Sequence, residues 1–364
     1  MKKLALLTAW WVCLSLAARA QSRAIEVTTN RNVEVINILF TQLSPEFLAD
    51  SLANPWMFEN TRLMRASYDF FQPWKQHPAV AATDALSKSL GTGVYLLGLY
   101  YEPIPEASPK SPLSPLLLEA VHPNSDSARH LVNSYMNLLN RFYREAPVDS
   151  FLRTYDPVYQ TALQEVKSQL PASNFIPTLE AYYGERKNGY TIVVMPFFKS
   201  QWGMGWQVGE AEKQRLFNII APFDAQYWAS KHTVKTAGYQ NPEALRTWCV
   251  HEFGHSFVNP LTARKPYAQA IDAHKGLFKP IANNLQYSDW ATAFNEYVVR
   301  AGEVQVAGLM GQHTQKKRLL AQYRDWIYLP HFNRQLAYYR ANRKQYPTFK
   351  SFLPKLIDSL SARR

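Results

Sequence analysis

The chain has 364 residues, 47% of them hydrophobic and 19% charged, which excludes a disordered protein and supplies enough apolar side chains for a large core. The formal net charge is +12, and basic residues are interleaved with aromatic ones near the C-terminus, but no nucleic-acid-binding motif accompanies them. We therefore expect no nucleic-acid partner.

The first twenty residues have the pattern of a signal peptide. Lys2 and Lys3 form a basic start, an uncharged apolar run follows, and small residues end the segment at Ala20. The apolar run is too short to favour a membrane-spanning helix, and no later run reaches the roughly 18 apolar residues that a span needs. The pattern predicts an exported protein, periplasmic or secreted, that is cleaved after Ala20 and has no transmembrane span in the mature chain. The alternative is an uncleaved N-terminal anchor.

Removal of the signal peptide changes the cysteine content and the charge. Only Cys249 remains, so we expect no internal disulfide, and Cys249 itself is expected to be a small core residue. Three basic residues leave with the signal, so the mature chain keeps a charge of about +9. The basic, aromatic stretch 315–347 is expected to form amphipathic helices with a solvated basic face. Attraction to anionic envelope surfaces is the alternative.

Residues 21–184 are predicted to form a mainly helical region. Helical spacing of apolar residues occurs in "NVEVINILFTQL", in "HPAVAATDALSKSLGTG" and in "SARHLVNSYMNLLNRFYREA". In the second of these, Pro78 suits a helix start and Gly91 suits a helix end. The stretch "EPIPEASPKSPLSP" between the second and third is predicted to be a proline-rich loop.

The pattern changes near residue 185 to that of a small sheet followed by helices. Asn188-Gly189 precedes a β-branched run, and "RLFNII" is another strand candidate. "QWGMGWQVG" alternates glycines with large residues, which is compatible with a short exposed strand in a hairpin. The predicted fold class is α+β: mostly helical, with a small mixed or antiparallel sheet.

The segment "NPEALRTWCVHEFGHSFVNP" is predicted to be a helix. Asn241 suits the N-cap and Pro242 the first helical position. Asn259-Pro260 marks the predicted end, because the residue before a proline is disfavoured in helical conformation. Apolar residues surround the centre of this helix.

Two histidines and a glutamate in that apolar helix indicate a metal site. His251 and His255 lie one turn apart on one face, where both imidazoles can reach one Zn²⁺ at about 2.0–2.1 Å. Glu252 lies about 100° around the helix from His251, so it can contact a metal-bound water as a general base. Unpaired polar groups in an apolar helix are strongly unfavourable, so a chance match is the weaker interpretation.

A catalytic zinc needs a third protein ligand. The downstream candidates are His274, Asp289, Glu296, Glu303 and His313. "YSDWATAFNEYVVRAGEVQVAGL" is predicted to be a helix with Ser288 as N-cap, and Glu296, Arg300 and Glu303 share one face of it. They either form a solvated face with a Glu–Arg pair, or Glu296 is the third ligand and Arg300 orients it.

HExxH on one helix and a glutamate on a later one resembles the gluzincin class of metallopeptidases. The segments "HEFGHSFVNP" and "NEYVVRAGE" also resemble an uncharacterised family of secreted bacterial proteins that carry a domain of unknown function. The resemblance implies a zincin-like region over residues 185–364, separate from residues 21–184 or continuous with them, and Glu296 as third ligand. Arg300 departs from the gluzincin pattern, in which an acidic residue is common there, so the partners of the two histidines stay unassigned.

The sequence thus predicts a zinc-dependent metallohydrolase, most simply a peptidase acting on a peptide or protein. Its metal ligands would be His251, His255 and Glu296, and its base Glu252. Tyr267, Tyr328 and His331 are candidate oxyanion donors, none of which is assigned. The alternatives are an exported binding or scaffold protein with a structural or idle zinc, and a hydrolase of another amide or a glycan-linked substrate.

Overall fold

The computed structural model describes residues 24–43, 62–198, 202–210, 213–279 and 289–363. The predicted signal peptide lies outside these residues. The helices are α1 (Arg31–Asn37, continued by a π-helix over Ile38–Leu43), α2 (Arg62–Phe71), α3 (Pro78–Leu90), α4 (Val94–Leu97), α5 (Pro115–Val121), α6 (Ser125–Glu145), α7 (Val148–Thr154), α8 (Asp156–Ser168), α9 (Phe175–Tyr183), α10 (Pro242–Thr262), α11 (Lys265–Asp272), α12 (Trp290–Leu309), α13 (His313–Gln322), α14 (Leu329–Ala341) and α15 (Phe349–Asp358). The strands are β1 (Ile25–Thr28), β2 (Gly189–Val194), β3 (Gly203–Val208), β4 (Arg215–Ile220), β5 (Tyr227–Trp228) and β6 (Val234–Thr236).

The fold is α+β, as predicted, with a four-stranded mixed sheet in the order β1-β2-β4-β3. β2 pairs in parallel with β1 and with β4, whereas β3 and β4 form an antiparallel hairpin. β5 and β6 form a separate antiparallel pair. No helix in the described ranges is long and apolar enough to cross a membrane.

The sheet is buried on both faces, which explains the continuous apolar run in β2. Tyr190, Ile192 and Val194 point towards one core, which α8, α9, α10, α12, α14 and α15 complete. Val193 and Ile219 point to the other face, where they pack with residues of α1, α3 and α6. Successive side chains of a strand point to opposite faces, so one sheet separates the two helical layers.

Most predicted elements of the N-terminal region are present. α3 begins at Pro78 and ends at Leu90, and its C-cap is Gly91, whose φ of 54° suits glycine. α1 and α6 match the predicted helices, and the proline-rich stretch between α4 and α5 is a loop. β1 was not predicted, because its four residues carry too little pattern and it exists only through pairing with β2.

Two helix boundaries at the predicted site differ from the prediction: the end of α10 and the start of α12. α10 starts as expected, with the Asn241 side chain accepting from Ala244 N–H. It continues two residues past Pro260, because proline removes one donor from the last turn while Ala263 N–H still bonds to the Asn259 carbonyl. α12 is capped by Asp289, whose side chain accepts from Thr292 N–H. The predicted cap, Ser288, lies outside the described residues.

A glutamate is buried in the second core. Glu34 in α1 is 3% exposed, and neither of its carboxyl oxygens has a hydrogen-bond partner within the described part of the chain. Burial raises its pKa from 4.5 to about 8, an effect that the neighbouring Tyr159 hydroxyl only partly offsets. Because this pKa is higher in the folded state than in the unfolded state, the folded state binds the proton more tightly. The contribution of the Glu34 proton to the free energy of unfolding is complete below about pH 4.5 and is lost as the pH rises towards 8.

We therefore predict that Glu34→Gln raises the free energy of unfolding at pH 9 relative to the wild-type protein, by at most about 4–5 kcal/mol, and that this gain shrinks towards pH 5. The measurement is urea unfolding of both proteins at the two pH values. Glu119→Gln, at an exposed position of α5, is the control and should show no such difference. A gain that is equal at both pH values would show that Glu34 is ionised in the fold.

Candidate metal centre

The site lies between α10 and α12, which run antiparallel and come close together at a glycine. A Cβ at Gly254 of α10 would lie 3.0 Å from the Tyr183 hydroxyl and 3.2 Å from a methyl of Val299 on α12. A larger residue at 254 would thus force the neighbours apart. Gly254 therefore permits the close approach of α12 and Tyr183 to α10.

Three side chains from the two helices converge on one point. His255 Nε2 lies 3.1 Å from His251 Nε2 and 3.1 Å from Glu296 Oε1. His251 Nε2 lies 3.7 Å from Glu296 Oε2. One donor atom from each of the three residues lies within 4.8 Å of the others. Across the described ranges, no other trio or larger set of histidine, cysteine and acidic residues meets this criterion.

The opposite nitrogen of each imidazole is held by another side chain. His251 Nδ1 lies 2.5 Å from Glu303 Oε1, and Tyr323 donates its hydroxyl to the other oxygen of Glu303 at 2.7 Å. His255 Nδ1 lies 3.2 Å from Asn259 Oδ1. An acceptor on Nδ1 keeps the proton there and leaves the Nε2 lone pair free to bind a metal. Glu303, a candidate ligand in the sequence, thus contacts the outer nitrogen of a histidine.

Arg300 contacts the third member of the group. Its guanidinium lies 3.0 Å from Glu296 Oε2, one helical turn away, and packs on the rings of Tyr323 and Trp326 at 4.8 and 4.5 Å from their centroids. This is the orienting contact that the sequence suggested. The alternative of a solvated acidic face on α12 is wrong, because Glu296 and Glu303 are both buried.

The electrostatics of the group favour a positive charge at its centre. Burial opposes the protonation of His255, but the Glu296 and Glu252 carboxylates outweigh burial and raise the pKa of His255 to about 9. Burial opposes the ionisation of Glu296, yet His255, His251 and Arg300 outweigh it and hold the pKa of Glu296 well below its usual range. The positive charge of His255 and the negative charge of Glu296 therefore stabilise each other.

Glu252 follows His251 on α10, and its carboxylate lies against β3. Its side chain is buried, and the Gly205 N–H on β3 faces its carboxylate. Burial raises the pKa of Glu252, and the negative Glu296 adds to this, whereas both histidines and the Gly205 N–H oppose the shift. Glu252 therefore stands beside the convergence point and is not a member of the group.

β3 can lie close to Glu252 because the residues of β3 that face α10 are glycines. A Cβ at Gly203 would come within 2.7 Å of the Trp248 ring and 3.1 Å of Glu252 Oε1. A Cβ at Gly205 would clash with the Glu252 carbonyl oxygen. The alternating glycines, expected in an exposed strand, instead let this edge strand lie against the helix and leave it half-buried.

The other candidate residues serve different contacts. Asp289 is the N-cap of α12, and His313 is exposed at the start of α13. His274 is buried but is not part of the converging group. Tyr328 donates to the Leu277 carbonyl, and His331 Nε2 contacts the Ser359 hydroxyl, so both are tied to structural contacts. Tyr267 packs against the first core.

Cys249 lies one turn before Phe253 and is fully buried in the first core, as predicted. Its sulfur lies 4.0 Å from the Asn218 side-chain nitrogen on β4. Burial raises the pKa of its thiol well above the ordinary value, which keeps the thiol protonated. Cys249 is thus an apolar packing residue between α10 and the sheet.

Comparison with known proteins places almost the whole chain in one family model. The model, described as a domain of unknown function (DUF4932), matches residues 25–359 and so covers the sheet and both helices of the site. No curated protein and no solved structure matches the chain.

We predict that Gly205→Ala destabilises the fold by about 1–3 kcal/mol or more, because the added methyl must displace β3 from the backbone of α10. The measurement is the midpoint of urea unfolding. Gly276→Ala is the matched control, since a Cβ at that exposed glycine meets nothing within 4 Å. Equal midpoints for the two variants would contradict the close contact between β3 and Glu252.

Proposed function

We propose that this chain, which belongs to the DUF4932 family, is a zinc-dependent metallohydrolase and, more narrowly, a metallopeptidase. The observation that carries the proposal is the convergence of His251, His255 and Glu296, with both imidazoles anchored through Nδ1. Two histidines and one glutamate are a ligand set of catalytic zinc sites.

The spacing of the three donor atoms suits zinc. Ligands bound at about 2.0–2.1 Å in tetrahedral geometry lie roughly 3.4 Å from one another. The two imidazole Nε2 atoms are 3.1 Å apart, and the Glu296 carboxylate lies 3.1 Å from His255 Nε2 through Oε1 and 3.7 Å from His251 Nε2 through Oε2. A zinc ion at the centre of the group therefore needs only small side-chain adjustments.

The charge balance also favours a divalent cation. Glu252, Glu296 and Glu303 are buried within the same site, and Arg300 is the cation in direct contact with Glu296. Three carboxylates and one guanidinium leave two negative charges when both histidines are neutral. A proton on His255, whose pKa is raised to about 9, compensates part of this charge in the absence of a metal. A doubly charged ion would replace that proton and neutralise the two negative charges.

The expected mechanism assigns a different task to each residue. A bound zinc ion would polarise the substrate carbonyl and lower the pKa of an attacking water. Glu252 would accept a proton from that water and pass it to the leaving amine. Glu303 and Asn259 would hold the imidazoles in the tautomer that binds metal, and Arg300 would hold Glu296.

The main alternative is an exported binding or scaffold protein with a structural or idle zinc. Structural zinc sites have four protein ligands, whereas the described residues supply three. A structural site also has no need for a buried carboxylate beside the ligands, yet Glu252 stands there. These two features support the hydrolase, and the signal-like N-terminus supports action in the periplasm or outside the cell.

We predict about one zinc per chain, and that His251→Ala and His255→Ala each lose most of it, because two ligands hold zinc far more weakly than three. Glu296→Gln should weaken zinc binding more than Glu303→Gln does. We expect Glu303→Gln to lower the zinc affinity about 10–100-fold, because Glu303 contacts His251 and is not itself a ligand. The measurement is competition with a chromogenic chelator. His313→Ala is the control, because this exposed histidine lies outside the site.

Full zinc occupancy in either histidine variant would refute the proposed site. A larger effect of Glu303→Gln than of Glu296→Gln would make Glu303 the third ligand.

We further predict that Glu252→Gln retains zinc and thermal stability but reduces kcat by at least about 10²–10⁴-fold, because it keeps the side-chain size and removes the base. The assay exposes zinc-loaded wild-type protein, the variant and a chelator-treated sample to a mixed peptide library, with mass spectrometry of the products.

Cleavage by the variant at the wild-type rate would exclude Glu252 as the base. If zinc is bound stoichiometrically but no peptide is cleaved, the scaffold or a non-peptide substrate becomes the better interpretation.

A further inference from the structure

A cavity of about 320 Å³ borders the candidate metal centre on the side of the N-terminal half of α10. His251, Arg300 and Glu303 form part of its wall, and Trp248 and Tyr323 form another part. The cavity therefore lies beside His251, one of the proposed metal ligands, and beside Arg300, which contacts the ligand Glu296. Neither the charge balance nor the mechanism proposed above gives this cavity a task.

The cavity lies within reach of a substrate held at the centre. Consecutive Cα atoms of an extended peptide are about 3.8 Å apart, so the residue beside a scissile carbonyl at the metal lies within one side-chain length of His251. A side chain of that residue is therefore long enough to reach the cavity wall at His251 while the backbone stays at the centre.

The walls suit an aromatic guest. Three of the lining residues, Phe223, Trp248 and Tyr323, are aromatic. Aromatic pairs gain about 0.5–1.5 kcal/mol beyond the burial of their area. A cavity of about 150 Å³ is enough to hold a benzene molecule, so this one accommodates a phenyl, phenol or indole ring.

The charged groups in the wall already contact partners of the protein. Arg300 pairs with Glu296, and both oxygens of Glu303 are used by His251 and Tyr323. Asp224, also in the lining, accepts from the Asn241 side chain at 3.4 Å. A charged guest would lose its hydration without displacing these partners, which is unfavourable.

We propose that this cavity is the specificity subsite of the enzyme and that it selects an uncharged aromatic side chain next to the scissile bond. This inference rests on the proposed hydrolase function. Trp248, Phe223 and Tyr323 are the residues that determine the specificity.

The test uses inhibitor binding, so it does not depend on finding a substrate. Four peptide hydroxamates that differ in one side chain, that of Phe, Ala, Asp or Lys, are titrated by calorimetry into the zinc-loaded protein. The hydroxamate occupies the open position of the metal, and the side chain probes the cavity. We expect the Phe probe to bind at least about tenfold more tightly than the Ala probe, and the Asp and Lys probes no more tightly than the Ala probe.

A variant that fills the cavity sharpens the test. Ala244 lines the cavity in the first turn of α10, away from the three ligands, so Ala244→Phe should reduce the ratio of Phe-probe to Ala-probe affinity about tenfold. Ala263→Phe is the matched control, because Ala263 is exposed at the opposite end of the same helix. Zinc content and thermal unfolding are measured for both variants.

The outcomes separate this inference from the proposed function. Binding of all four probes with equal affinity, or tightest binding of the Asp probe, would overturn the aromatic subsite. Either result would still support a metal with an open coordination position. If no probe binds to protein that holds stoichiometric zinc, the hydrolase proposal itself fails, and the subsite with it. An unchanged affinity ratio in Ala244→Phe would also overturn the assignment of this cavity.

Discussion

The contact between α10 and α12 is the constraint on which the rest of the site depends. Tyr183, at the end of α9, stacks on Phe257 with ring centroids 4.5 Å apart and an angle of 5° between the planes. Its hydroxyl end reaches Gly254 on α10 and Gly302 on α12, where added Cβ atoms would lie 3.0 and 3.3 Å away. One side chain thus sets the spacing of the two helices. Because the histidines come from one helix and Glu296 from the other, this spacing determines whether their atoms can converge.

The same contact explains how buried polar groups are tolerated in a largely apolar part of the fold. Each carboxylate on α12 has a specific partner: Glu296 has Arg300 and the histidines, and Glu303 has His251 and Tyr323. Arg300 in turn packs on aromatic rings, which suits a guanidinium better than an ammonium. Removing one member of such a network leaves its partner buried and unpaired, so the network stabilises one arrangement of the two helices.

The sequence predicted those features of the site that depend on local spacing. His251, Glu252 and His255 follow from the helical period, and the cap of α10 follows from Asn241-Pro242. Glu296 needed the resemblance to known metallopeptidases in addition to its helical face. The contact between Glu303 and His251 could not be predicted, because it depends on the antiparallel packing of α10 and α12. The sequence also could not predict the contacts of Gly203 and Gly205 with α10, because they join segments far apart in the chain. The same holds for the pairing of β1 with β2. The last turn of α10 past Pro260 is closed by backbone bonds that include the one from Ala263 N–H to the Asn259 carbonyl.

The position of β3 also bears on how a substrate would be recognised. An edge strand beside a metal helix offers backbone groups with which an extended peptide can pair. Here the Gly205 N–H faces Glu252, and the Gln207 carbonyl accepts the Tyr100 hydroxyl at 3.2 Å. Two of the backbone groups that point away from β4 are therefore engaged within the protein, and pairing with a peptide along this part of β3 would require them to exchange partners. Recognition of the side chain next to the scissile bond then carries more of the selectivity, which is the task proposed for the cavity beside His251.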